Sequence, residues 1–66
     1  MRVTVNGRDR VVAAALSVDS LVTSLLEARR GVAVAVNGTV VPRSTWTEVT
    51  LADGDTVEVL TAAQGG

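Results

Sequence analysis

The chain holds few side chains able to do covalent chemistry. Its 66 residues include no Cys, no His and no Lys, and its six basic residues are all Arg: Arg2, Arg8, Arg10, Arg29, Arg30 and Arg43. Without Cys there is no thiol nucleophile, disulfide staple or thiolate metal site. Without His or Lys there is no imidazole base or ligand and no Schiff-base amine. What remains is the chain end. Gly65-Gly66 is expected to finish in a free carboxylate, and two such glycines arise by chance about once in 200 chains. A residue without Cβ adds little width and has free φ and ψ. Gly65 would therefore let the end thread a narrow channel, and Gly66 would present its carboxylate there. The competing reading is a frayed or appended tail.

That carboxylate defines a chemistry. It is a poor electrophile until adenylation makes it a mixed anhydride with a good leaving group. A sulfur nucleophile can then displace AMP, leaving a thiocarboxylate that is anionic and nucleophilic at neutral pH. Partners supply every catalytic group, so the bare inventory of this chain fits such a division of labour. The missing lysines are read first as codon bias in a GC-rich genome; the functional alternative is that an activated acyl end is safer without nearby amines.

Other candidates read more simply. Asp53-Gly54-Asp55 lacks the further oxygen ligands of a calcium loop and is read as a turn. Arg2, Arg8 and Arg10 are read as solvated strand-face charges rather than a basic patch. Trp46, the one aromatic residue, is read as core packing. Leu60 is the candidate for an exposed apolar contact with a partner, the alternative being that it packs on a neighbouring strand.

A net charge of −1 lacks the concentrated positive face of a nucleic-acid binder. No apolar run approaches the roughly 20 residues needed to span a bilayer. No signal-like apolar run follows Met1-Arg2-Val3, and a cytoplasmic location is the expectation.

The elements that must hold the chain end follow from periodicity. Arg2 to Asn6 alternates as a strand, and Asn6-Gly7 marks a hairpin. A two-residue turn would put Arg8 opposite Val5 and Arg10 opposite Val3, two arginines on the apolar face. A three-residue loop, 6–8, sets Val11 opposite Val3 and Ala13 opposite Met1, and is the expected register. Ser17 caps a helix with Asp19 in its first turn and a Leu16–Leu21 staple. Val18, Leu21, Val22, Leu25 and Leu26 make its apolar face. Arg29 and Arg30 are expected in the last turn and Gly31 at the left-handed cap, giving about three turns. Val32 to Val36, apolar on both faces, reads as a central strand. Asn37-Gly38 makes a two-residue hairpin with Val34 opposite Val41, ended by Pro42. After the turn at 53–55, Thr56 to Thr61 forms the last strand, with Val57 and Val59 on one face and Glu58 and Leu60 on the other.

Hairpin, helix, hairpin and final strand require the helix to cover one face of a mixed sheet, with the two terminal strands as parallel central neighbours. That is an α+β, ubiquitin-like β-grasp of four to five strands and one main helix. Residues 1–61 are expected to form this domain and 62–66 a flexible C-terminal tail.

Val36-Asn37-Gly38, Val41-Pro42-Arg43 with Trp46 after it, Asp53-Gly54-Asp55 and the terminal Gly65-Gly66 together resemble the thiamine-biosynthesis sulfur carriers, the ThiS family, from end to end. The glycines are shared with other carriers of this fold; Val-Pro-Arg followed by Trp points to the thiamine branch. The resemblance implies a carrier rather than an enzyme. A ubiquitin-activating-type enzyme would adenylate Gly66 with its own ATP and Mg, a sulfur-donor protein would supply sulfur, and thiazole synthase would receive it from the thiocarboxylate. Ala62-Ala63-Gln64 is smaller and more polar than the residues often found there in the family. The alternatives are the same chemistry with another acceptor, in molybdopterin synthase or cysteine formation, a ubiquitin-like modifier joined to lysines, or a β-grasp binding module.

Overall fold

The computed structural model describes residues 1–26 and 31–61. Strands β1 (Arg2–Val5), β2 (Arg8–Val11), β3 (Val32–Val36), β4 (Thr39–Val41) and β5 (Thr56–Thr61) form one sheet, with helix α1 (Val18–Leu25) between β2 and β3. The sheet order is β2-β1-β5-β3-β4. β1 and β5 run parallel in the middle and the other neighbours are antiparallel. This is the expected β-grasp.

Alternation explains the two faces. Val3 and Val5 of β1, Val34 of β3 and Val57 and Val59 of β5 all point to one side, where Val18, Leu21 and Val22 of α1 bury them. Trp46 and Leu51 close the same core. The Trp46 indole N–H donates to the Val41 carbonyl at 2.9 Å, so the one large aromatic carries no unpaired polar atom into the interior. Its neighbours also finish the helix start. Val18 N donates to the Val49 carbonyl and Asp19 N to the Trp46 carbonyl, while Ser20 N donates to Ser17 Oγ at 3.0 Å. The first helical N–H groups, which no helix can satisfy internally, are thus paired by the Ser17 cap and the 46–49 loop.

Two expectations need correction. The first hairpin has a two-residue turn: Val3 faces Arg10, Val5 faces Arg8 and Arg2 faces Val11. Asn6 and Gly7 have φ of 51° and 82°, the paired positive values of the tight turn that best matches strand twist. The hydrophobic-pattern argument assumed that β2 needs a buried face. β2 is instead an edge strand with all four residues exposed, so Arg8 and Arg10 can sit on the helix side without entering the core. Turn chemistry therefore decides the register, and Val11 is left 76% exposed.

The helix is also shorter than expected. It spans eight residues, and Leu26, at φ −133° and ψ 143°, has already left helical space. The Ser24 hydroxyl donates to the Leu21 carbonyl at 2.7 Å, the kind of side-chain competition that weakens a helix end. Arg29 and Arg30 lie outside the described residues. Gly31 is left-handed at φ 69°, but it lies well beyond the end of α1 and does not cap it. The second hairpin and β5 have the expected bounds and pairing, Val34 with Val41 among them.

Candidate functional site

Gly65 and Gly66 lie outside the described residues, as does the rest of 62–66. The described part of the site is the strand that leads to them. β5 is central, yet β1 ends at Val5, opposite Val57. From Glu58 to Thr61 the ladder continues on one side only, where Glu58, Val59, Leu60 and Thr61 face Ala35, Val34, Ala33 and Val32 of β3.

On the open side a side chain replaces the missing strand. Asn6 Oδ1 accepts from Val59 N at 2.8 Å, and Asn6 Nδ2 donates to the Val59 carbonyl at 3.0 Å. A carboxamide carries the same donor and acceptor as a peptide group, so Asn6 extends β1 by one mimicked residue. The left-handed turn conformation aims its side chain along the strand. Asn37, in the other hairpin and also left-handed at φ 52°, does the same at the start of β5. Its Oδ1 accepts from Thr56 N at 3.0 Å and its backbone N–H donates to the Thr56 carbonyl at 2.7 Å. The strand before the tail is gripped near both ends by hairpin asparagines. Sequence reasoning gave both residues only a turn role; the signal that could have suggested more is the same Asn-Gly pair beside two strands that flank one central strand.

The other candidates fall in separate places. Leu60 points to the face that the helix leaves uncovered and is 65% exposed. Ala33 lies directly opposite it, and Val40, 70% exposed, continues the apolar surface across β3. Asp53-Gly54-Asp55 is a turn: Gly54 has φ 88°, Asp53 Oδ1 accepts from Arg2 N, and Asp55 Oδ2 accepts from Ala52 N at 2.8 Å. Their carboxylates serve backbone and Asn37 donors, and no group of metal-ligating side chains occurs among the described residues. The three arginines do not converge. Arg2 lies on the uncovered face, 3.8 Å from Asp9, whereas Arg8 and Arg10 lie on the helix side. Trp46 is buried in the core. No described helix is long and apolar enough to cross a membrane.

The site is thus a directed strand end without a catalytic cluster among the described residues, and comparison with known proteins fits that geometry. A thiamine biosynthesis protein (ThiS) of Geobacter metallireducens is 39% identical; its crystal structure superposes with a TM-score of 0.83 over the whole of both chains. The solution structure from the same organism gives 0.82, covering all of this chain and 88% of that one. A curated thiazole synthase of Paramagnetospirillum magneticum is 35% identical across all 66 residues, and the chain spans 20% of its length. The ThiS family model matches residues 3–66, from the first strand to the terminal glycine. With sequence, sheet order and chain end in agreement, this chain belongs to the ThiS family.

Proposed function

We propose that the chain is a sulfur carrier for thiamine thiazole formation, acted on by partner enzymes and not itself an enzyme. A ubiquitin-activating-type enzyme, with its own ATP and Mg, adenylates the Gly66 carboxylate. A sulfur-donor protein then converts the acyl adenylate to a thiocarboxylate with loss of AMP, and thiazole synthase takes the sulfur. Gly65 gives the end the slimness and freedom to enter those active sites. Leu60, beside the tail on the uncovered face, contributes apolar contact to a partner.

The observation that carries this reading is the family match running through Gly66, on a body whose last strand is fixed up to the point where the tail begins. The full-length alignment with one part of a thiazole synthase supports that enzyme as the acceptor, because joining two modules in one chain raises their effective concentration for each other. The test is intact-mass analysis after co-expression with the adenylating enzyme and sulfur donor. Replacement of one carboxylate oxygen of Gly66 by sulfur is the expected result. An unchanged mass would contradict the carrier reading, and isopeptide-linked conjugates would point to a modifier.

A further inference from the structure

On the helix side of the sheet, the end of α1 and the edge strand β2 bound an open cleft of about 380 Å³. Val5, Val59, Leu25 and Leu26 give it an aliphatic lining, Arg8 and Arg10 form one wall, and Asn6 and Thr61 also line it. The two guanidinium groups have no hydrogen-bond or ion-pair partner among the described residues. The described carboxylates are elsewhere. Asp9 and Glu58 belong to the opposite sheet face by strand alternation. Asp53 and Asp55 are at the start of β5, and Asp19 and Glu48 are near the start of α1. Among the described residues, the cleft therefore combines two cations that have no partner with exposed aliphatic surface, on a chain whose overall charge is slightly negative.

We infer that this cleft docks an acidic segment bearing an aliphatic side chain on thiazole synthase, using Arg8 and Arg10 as the charge-reading wall. The inference rests on the reading that this enzyme takes the tail. The cleft suits a protein segment better than a free small anion. Both arginines are exposed, the Asn6 amide that lines the cleft is engaged with Val59, and no buried polar side chain among the described residues lines it, so a small anion would meet mainly water-screened charges. A protein that covers the cleft excludes that water and strengthens both contacts, while its aliphatic group fills the space between Leu26 and Val59. Position argues the same way. Thr61 is the last residue of β5, so a protein that holds the tail comes close over this cleft. Arg8 and Arg10, two apart on one strand face, also place their charges side by side, as two carboxylates would require.

The test is the association rate of the full chain with purified thiazole synthase, measured across a salt series. The charge-reversed Arg8→Glu/Arg10→Glu variant is compared with Arg2→Glu/Arg43→Glu, which has the same net charge but leaves the cleft intact. Expected are a loss of at least about tenfold in association rate at low salt for the first double variant, a flat or inverted salt dependence, and a much smaller effect for the second. The neutral Arg8→Gln/Arg10→Gln chain should fall between the parent and the reversed variant. Equal rates for parent and cleft variant, or equal slowing by both reversals, would overturn the inference while leaving sulfur transfer intact. A parent chain that does not bind the enzyme at all would overturn both this inference and the acceptor reading beneath it. Matching thermal unfolding curves for the variants exclude misfolding as the cause.

Discussion

Asn6 does two jobs with one side chain. Its backbone makes the left-handed turn, and its amide holds Val59 in place of a strand. The two roles can be separated. Asn6→Gly keeps the positive φ at no steric cost but removes both hydrogen bonds. It should destabilise the fold by about 1–2 kcal/mol and accelerate hydrogen exchange at the Val59 amide well before that at Val34. Equal exchange in both chains would mean that the clamp contributes nothing. Trp46 offers a second test. Trp46→Phe keeps an aromatic ring but removes the indole N–H bonded to the Val41 carbonyl and underfills the core, so a loss of about 1–3 kcal/mol is expected in denaturant unfolding. At this scale the sequence was half legible. Trp46 as core follows from its type, and Asn6 as a turn residue follows from the Gly after it. The bond from Asn6 to Val59 spans 53 positions, and no local pattern encodes a partner that the fold alone brings near.

The elements repeat the lesson. The 53–55 turn, β3 and β5 were readable because turn signals and hydrophobic period agree there. At β2 they conflict, and the outcome shows which dominates when a strand lies at an edge. Burying two arginines would be costly, but an exposed edge makes no such demand, and charged edge residues also discourage unwanted strand pairing. The end of α1 was misread because the apolar period runs on through Leu25 and Leu26, while Leu26 already has extended backbone. The glycine of each hairpin should then be a conformational requirement and not a packing one. Gly7 and Gly38 have φ of 82° and 83°, and a Cβ on either would meet nothing within 4 Å. Gly7→Ala and Gly38→Ala should each cost about 1–2 kcal/mol, measured by thermal unfolding, with strand pairing unchanged by NMR. A loss near zero would show that the turns tolerate an L residue.

At the scale of the whole molecule, a helix-backed sheet leaves one face uncovered and sends its central strand toward the chain end. In the proposed role, the sheet would set where residues 62–66 start, and those residues would set how far the Gly66 carbonyl reaches. In the proposed carrier role, reaction at a partner's nucleotide would depend on that reach, because misplacing a reacting group by about 1 Å can cost about a hundredfold in rate. Appending one Ala after Gly66 should therefore abolish adenylation without changing the melting temperature, as read by pyrophosphate exchange. Normal exchange by the extended chain would remove the threading argument. The β-grasp could be derived from element order, because one helix and two hairpins leave few ways to bury an apolar sheet face. The chain end was proposed by elimination, since few other groups on the chain can react, and it lies outside the described residues.

Sulfur transfer itself is the most direct test. The chain is loaded with radiosulfur at its C-terminus, freed of the loading enzymes and mixed with thiazole synthase and its other substrates for a single turnover. The expected result is that the label leaves the chain as it appears in the thiazole product, while Gly66 returns to an ordinary carboxylate. Label retained on the chain, with thiazole formed from another sulfur source, would contradict the account.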